Sequence, residues 1–137
     1  MKLITKNTDY AVRSLIQLAK EPGRYVSAAE ISKRETIPAP FLKRILQTLI
    51  KEKYLLSREG AAGGVRLNRR TDLIRIIDIM KLFQGEFRIS ECMFQKRICP
   101  NRATCVLRRR IRTIESKLIA EFAGITIAAL LKDKEES

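Results

Sequence analysis

A chain of 137 residues with 28 lysines and arginines against 15 acidic residues carries a formal charge of +13, which calls for a polyanionic partner. Its length suits one domain, with at most an extended arm, and no apolar run approaches the ~20 residues needed to cross a bilayer. No leader-like apolar core precedes Asp9, so a cytoplasmic chain is expected, and without histidine or a recognisable nucleophile–base arrangement it is not expected to be an enzyme.

In chain order, TDYAVRSLIQLA at 8–19 puts Val12, Leu15, Ile16 and Ala19 at helical spacing, with Thr8 or Asp9 as cap. Pro22 and Gly23 end that helix. SAAE at 27–30 has the capping-box form, in which Ser27 and Glu30 satisfy each other's backbone donors, and a short helix should run to about Arg34. Pro38 and Pro40 then open a helix with Leu42, Ile45, Leu46 and Leu49 on one face and Lys43, Arg44, Gln47 and Lys51 on the other. Two short helices in tight succession, the second cationic outside, predict a helix-turn-helix whose latter member enters a major groove. The bland reading of the same helix is a solvated charged face.

YLLSREGAAGGVRLNRR sets two short apolar runs around Gly60, Gly63 and Gly64, three of the six glycines. A turn that needs positive φ predicts a β-hairpin here, and after a helix-turn-helix it reads as a wing. Arg58, Arg66, Arg69 and Arg70 decorate it, and a narrow minor groove attracts arginine. Neither phosphate-loop pattern is present. TDLIRIIDIMKLFQG at 71–85 predicts a core helix presenting Leu73, Ile76, Ile77, Met80 and Phe83 and ending at Gly85. From Thr104, Leu107, Ile111, Ile114, Leu118 and Phe122 form a narrow stripe along a long helix. A second copy can cover that stripe, which predicts a homodimer; folding back onto its own domain is the alternative. GITIAALL at 124–131 should form a short helix docking under the same surface. The charges of RRRIR at 108–112 read as a solvated face or as neutralisers of the loop before them.

That loop, CMFQKRICPNRATC, holds Cys92, Cys99 and Cys105, all the cysteines of the chain. An odd number cannot pair fully within one chain, and gaps of six and five residues are wider than the knuckles that grip zinc. Wide gaps suit a larger object approached from different corners, and an iron–sulfur cluster, [2Fe–2S] or [4Fe–4S], is one. Structural zinc and free redox thiols remain open on spacing alone. Lys96, Arg97 and Arg102 would favour thiolates and offset a cluster's negative charge, and Pro100 follows Cys99 as in ferredoxin loops. A fourth ligand must come from elsewhere: Glu91 is adjacent, and Asp9 at the start of the first helix could be presented across a dimer, although on sequence grounds a helix cap or dipole-stabilising charge is the preferred reading of Asp9.

Taken together, TDYAVRSLIQLA, SAAEISKRETIPAPFLKRILQTLIK, SREGAAGG, the three cysteines and ITIAALL resemble the bacterial winged-helix iron–sulfur transcription regulators that include IscR, NsrR and RirA. The resemblance covers nearly the whole chain. It implies a mainly α protein with a small β-hairpin wing, divided into a winged helix-turn-helix at 1–85, a cysteine loop at 86–106 and a dimerisation helix with its tail at 104–137. It further implies a homodimer, acting on operator DNA as a repressor, whose cluster responds to nitric oxide, iron or redox state. Lys43, Arg44 and Gln47 would address the major groove, and Arg58 and Arg66 the backbone or minor groove. IscR-like members carry a histidine ligand where this chain has Arg108, which excludes that ligation; NsrR-like members use the aspartate of the opening TD, contributed by the other subunit, which implies Asp9. Many relatives have arginine just before the first wing glycine, where Glu59 stands here. Two other readings stay open: a metal-free thiol-switch regulator, separated by iron and sulfide analysis, and a basic electron-transfer or assembly partner of iron–sulfur proteins, separated by steep salt dependence of DNA binding.

Overall fold

The computed structural model describes residues 3–89 and 104–137. Its first helix, α1 (Lys6–Ala19), starts earlier than the sequence predicts, because the Thr5 hydroxyl accepts from the Thr8 amide at 3.3 Å and caps the helix. Thr8 and Asp9 therefore sit in the first turn rather than at the cap. Ala11, Leu15 and Leu18 are buried in the core, with Val12 and Ile16 at its margin. This helix is the hub, touching α2 (Ala28–Glu35), α3 (Ala39–Lys51), α4 (Ile76–Gln84) and α6 (Ile127–Glu136).

Ser27 caps α2 as expected, its hydroxyl accepting from the Glu30 amide at 3.1 Å. The reciprocal half of the box is not used: the Glu30 carboxylate instead takes Arg24 and Arg34. A left-handed Thr36 (φ 53°) turns the chain, buried Ile37 pins the corner, and Pro38 caps α3. Leu42, Ile45, Leu46 and Leu49 are buried along the inner face of α3, as the spacing predicts.

The wing is an antiparallel pair, β1 (Leu55–Arg58) and β2 (Gly64–Leu67), in the register Leu55↔Leu67 to Arg58↔Gly64. Val26 adds a short third edge, exchanging two 2.9 Å bonds with Val65. Gly60 (φ 103°) and Gly64 (φ 143°) adopt positive φ, whereas Gly63 is needed for room: a Cβ there would lie 2.1 Å from the Arg58 carbonyl oxygen. Gly64 has both constraints, as its Cβ would meet the Val26 carbonyl oxygen at 2.3 Å.

The helix expected over 71–85 is broken. Thr71–Leu73 is a 3₁₀ turn, Ile74 is extended and buried, and α4 begins at Ile76. Leu73 is consequently 63% exposed instead of lying in the core. The break exists because 74–76 pairs with 125–127: the Ile76 amide donates to Ile125 and the Ile127 amide to Ile74, both at 2.9 Å. Between these stretches, α5 (Val106–Ala123) rests on α4. Tail helix α6 packs on α1 and the 3₁₀ turn, with Ile127 wholly buried.

Candidate DNA-binding surface and the cysteine-bearing helix

Lys43, Arg44 and Gln47 are all exposed on the outer side of α3, where the buried leucine and isoleucine face orients them outward. Phe41 stands with them, 44% exposed, and the Arg44 guanidinium carbon lies 5.6 Å from its ring centre. Sequence reasoning passed over Phe41, which sits at the edge of the apolar stripe. The signal was its place in the first turn, where recognition helices meet base edges and a flat apolar group can contact a thymine methyl.

On the wing, four arginines separate into two kinds. Arg69 turns back to donate to the Glu52 and Lys53 carbonyls at 2.8 and 3.3 Å and stacks on Tyr54, 3.9 Å from the ring centre. It thereby serves the carbonyl end of α3. Arg70 pairs with Asp72 at 2.6 Å. Arg58 and Arg66 face neither a carboxylate nor the core: among the described residues neither has an acidic partner within ion-pair distance. Both lie over Tyr25, 4.3 and 5.0 Å from its ring centre, and Arg58 also donates to the Ala62 carbonyl at 2.9 Å. Nearby Arg24 and Arg34, by contrast, each bridge Glu21 and Glu30.

Cys105 is the N-cap of α5, its sulfur accepting from the Arg108 amide at 3.4 Å. No residue of α5 is fully buried. Leu107 and Ile114 are 68% and 51% exposed, while Leu118 and Phe122 lean on the core and Phe122 meets Phe87 at 5.7 Å. The expected stripe is thus covered at its C-terminal end by its own subunit and bare at the end nearest Cys105. Glu115 accepts from the Ile89 amide at 3.0 Å, tying the start of the cysteine segment to α5.

The profile of Rrf2, a family of iron-dependent transcriptional regulators, matches residues 4–133. The chain belongs to the Rrf2 family. Members regulate transcription and are not enzymes, and the fold agrees: the T. potens IscR structure superimposes with a TM-score of 0.79 at 25% identity, covering 99% of this chain and 90% of that one. The transcriptional regulator NsrR of Bacillus subtilis is 30% identical over 99% of this chain and 94% of its own. The oxidized form of Staphylococcus aureus CymR matches with a TM-score of 0.69 at 25% identity, covering 96% of each chain.

In this Rrf2 chain Asp9 lies exposed in the first turn of α1, its carboxylate 3.4 Å from Arg13. Arg13 also reaches the Glu35 carboxylate at 3.3 Å and its carbonyl at 2.6 Å, at the end of α2. Cys92 and Cys99 lie outside the described residues, as do Glu91, Lys96, Arg97, Pro100 and Arg102. Among the described residues no three potential ligands gather on one ion. The donor chemistry itself fits an iron–sulfur group: a half-buried Cys105 sulfur without a disulfide partner among the described residues, and an exposed Asp9 carboxylate whose half-buried partner Arg13 is also held by Glu35 and so is not Asp9's alone. No helix among the described residues is long and apolar enough to cross a membrane.

Proposed function

We propose that this Rrf2 protein is a homodimeric repressor whose hold on operator DNA is set by an iron–sulfur cluster. Cys92, Cys99 and Cys105 would hold the cluster, with Asp9 of the partner subunit as the oxygen ligand. Residues 1–85 read DNA, 86–106 carry the cluster, and 104–137 pair the two copies. Lys43, Arg44 and Gln47 address the major groove, and Arg58 and Arg66 the backbone or minor groove.

The observation that carries this reading is the double position of Cys105, at once a thiol of the cysteine segment and the cap of the helix with the bare apolar stripe. When bound, the cluster supplies a centre that nitric oxide, oxidant or iron shortage can alter. What the sulfur holds is then felt at the first turn of α5. From there contact runs through α4 to α1 and on to α3. A tenfold change in operator affinity needs about 1.4 kcal/mol of difference between two arrangements of that path.

Anaerobic purification followed by iron and sulfide analysis, sedimentation and operator titration tests this. The expected result is a cluster-loaded dimer whose DNA affinity changes on adding nitric oxide or a chelator. An iron-free protein with unchanged affinity after anaerobic reconstitution overturns it. A second reading, a thiol-switch regulator without metal, is favoured by the similarity to a CymR that exists in an oxidized form. Iron-free protein whose affinity changes with peroxide and recovers with thiol supports that reading instead.

A further inference from the structure

Arg58 and Arg66 share the outward face of the hairpin, opposite Gly64 and Leu56 respectively. The Val26–Val65 pairing, two bonds of 2.9 Å, brings Tyr25 alongside that face, and the lack of a Cβ at Gly64 leaves room for that approach. Both guanidiniums stack on the one ring, and Arg58 is fixed further by the Ala62 carbonyl. The nature of these partners matters. A carboxylate would hold an arginine by cancelling its charge, as Glu21 and Glu30 do for Arg24 and Arg34. An aromatic face attracts the cation through its quadrupole and a carbonyl through its dipole, and both leave the positive charge available.

We propose that Tyr25 is a DNA-positioning residue, holding Arg58 and Arg66 as a paired guanidinium clamp for the sugar–phosphate backbone beside the major groove that α3 enters. The inference rests on the DNA-binding reading above. Backbone is the target rather than minor-groove floor because Glu59 stands exposed at the wing tip, and a carboxylate there opposes entry into the most negative part of the groove. Guanidinium forks match phosphate oxygens two at a time, and a ring that restricts the fork beforehand lowers the ordering cost on binding.

The test uses the full chain, purified anaerobically, and a duplex that it selects from a random-sequence pool. Tyr25→Leu should lose about five- to tenfold in affinity, with the slope of log affinity against log salt reduced by about one to two phosphate contacts, each worth about 0.9. Tyr25→Phe, which keeps the ring, should bind within about twofold of wild type. Binding by Tyr25→Leu at wild-type strength and slope overturns the proposal, and so does an equal loss in both variants. Failure of the wild type to select any sequence overturns the DNA reading itself. Should Tyr25→Leu fold poorly, the ring currents of the wild type decide: the Arg58 and Arg66 δ-methylene protons, assigned from Arg58→Ala and Arg66→Ala, are expected upfield of their ordinary positions, and ordinary positions overturn the stack.

Discussion

Single residues set the wing more than its apolar pattern does. Gly64 combines a φ of 143° with a Cβ position 2.3 Å from a main-chain oxygen that cannot move aside. Gly64→Ala is expected to cost at least about 2 kcal/mol, measured as a fall in urea midpoint with unchanged slope. The sequence makes the need for glycine in a hairpin legible, but not this reason, because the Val26 oxygen arrives from a distant stretch that no local pattern announces. The same holds for Thr8, expected as a cap, which instead lies buried with its hydroxyl donating to Gln84 at 2.8 Å. On α3 the outward residues divide by chemistry. Lys43→Ala should weaken binding to all sequences alike and lower the salt slope by about one contact, whereas Gln47→Ala should relax preference at one base at a cost of about 1–3 kcal/mol; titrations against matched and mismatched duplexes separate the two.

Whole elements were readable where their packing is local and obscured where a remote segment pairs with them. The inner face of α3 follows its helical period, since the elements that cover it, α1, α2 and β1, lie close by in the chain. The split before α4 was hidden because the pairing of 74–76 with 125–127 outweighs the helical preference of that stretch. Where α6 docks on α1, like charges meet: desolvation lowers the pKa of the Lys20 ammonium from its usual value, and facing Lys134 lowers it further. The folded chain then binds fewer protons at this site than the unfolded chain. Stability at this site is therefore expected to rise with pH through the window below the ordinary lysine value near about 10.4. Lys134→Glu should raise the melting temperature, contributing about 0.2–1 kcal/mol as an exposed pair, and should flatten that rise with pH in thermal scans.

At the scale of the whole molecule, the bare end of the α5 stripe is the feature most in need of a partner, and it was legible as a four-three-four-four spacing before any fold was known. Which part of the stripe its own subunit covers was not, because that depends on Phe87 and on where α4 stops. Ile114→Asp alters a half-exposed position of the single subunit. If the proposed dimer forms through this stripe, Ile114→Asp should leave helix content unchanged while sedimenting as a monomer and lowering DNA affinity at least about tenfold through loss of two-site attachment.

The bonds joining 74–76 to 125–127 make the intervening chain a loop stapled at its base. That footing ties α5 and α6 to the stretch just before α4, so a displacement of α5 is passed to α4, which packs on α1. Severing the loop would also strip Ile127 from the interior and leave the main-chain groups of Ile74 and Ile76 unmatched. The winged helix-turn-helix is accordingly not separable by simple trimming: a fragment ending at Gly85 should show a lower urea midpoint than the full chain.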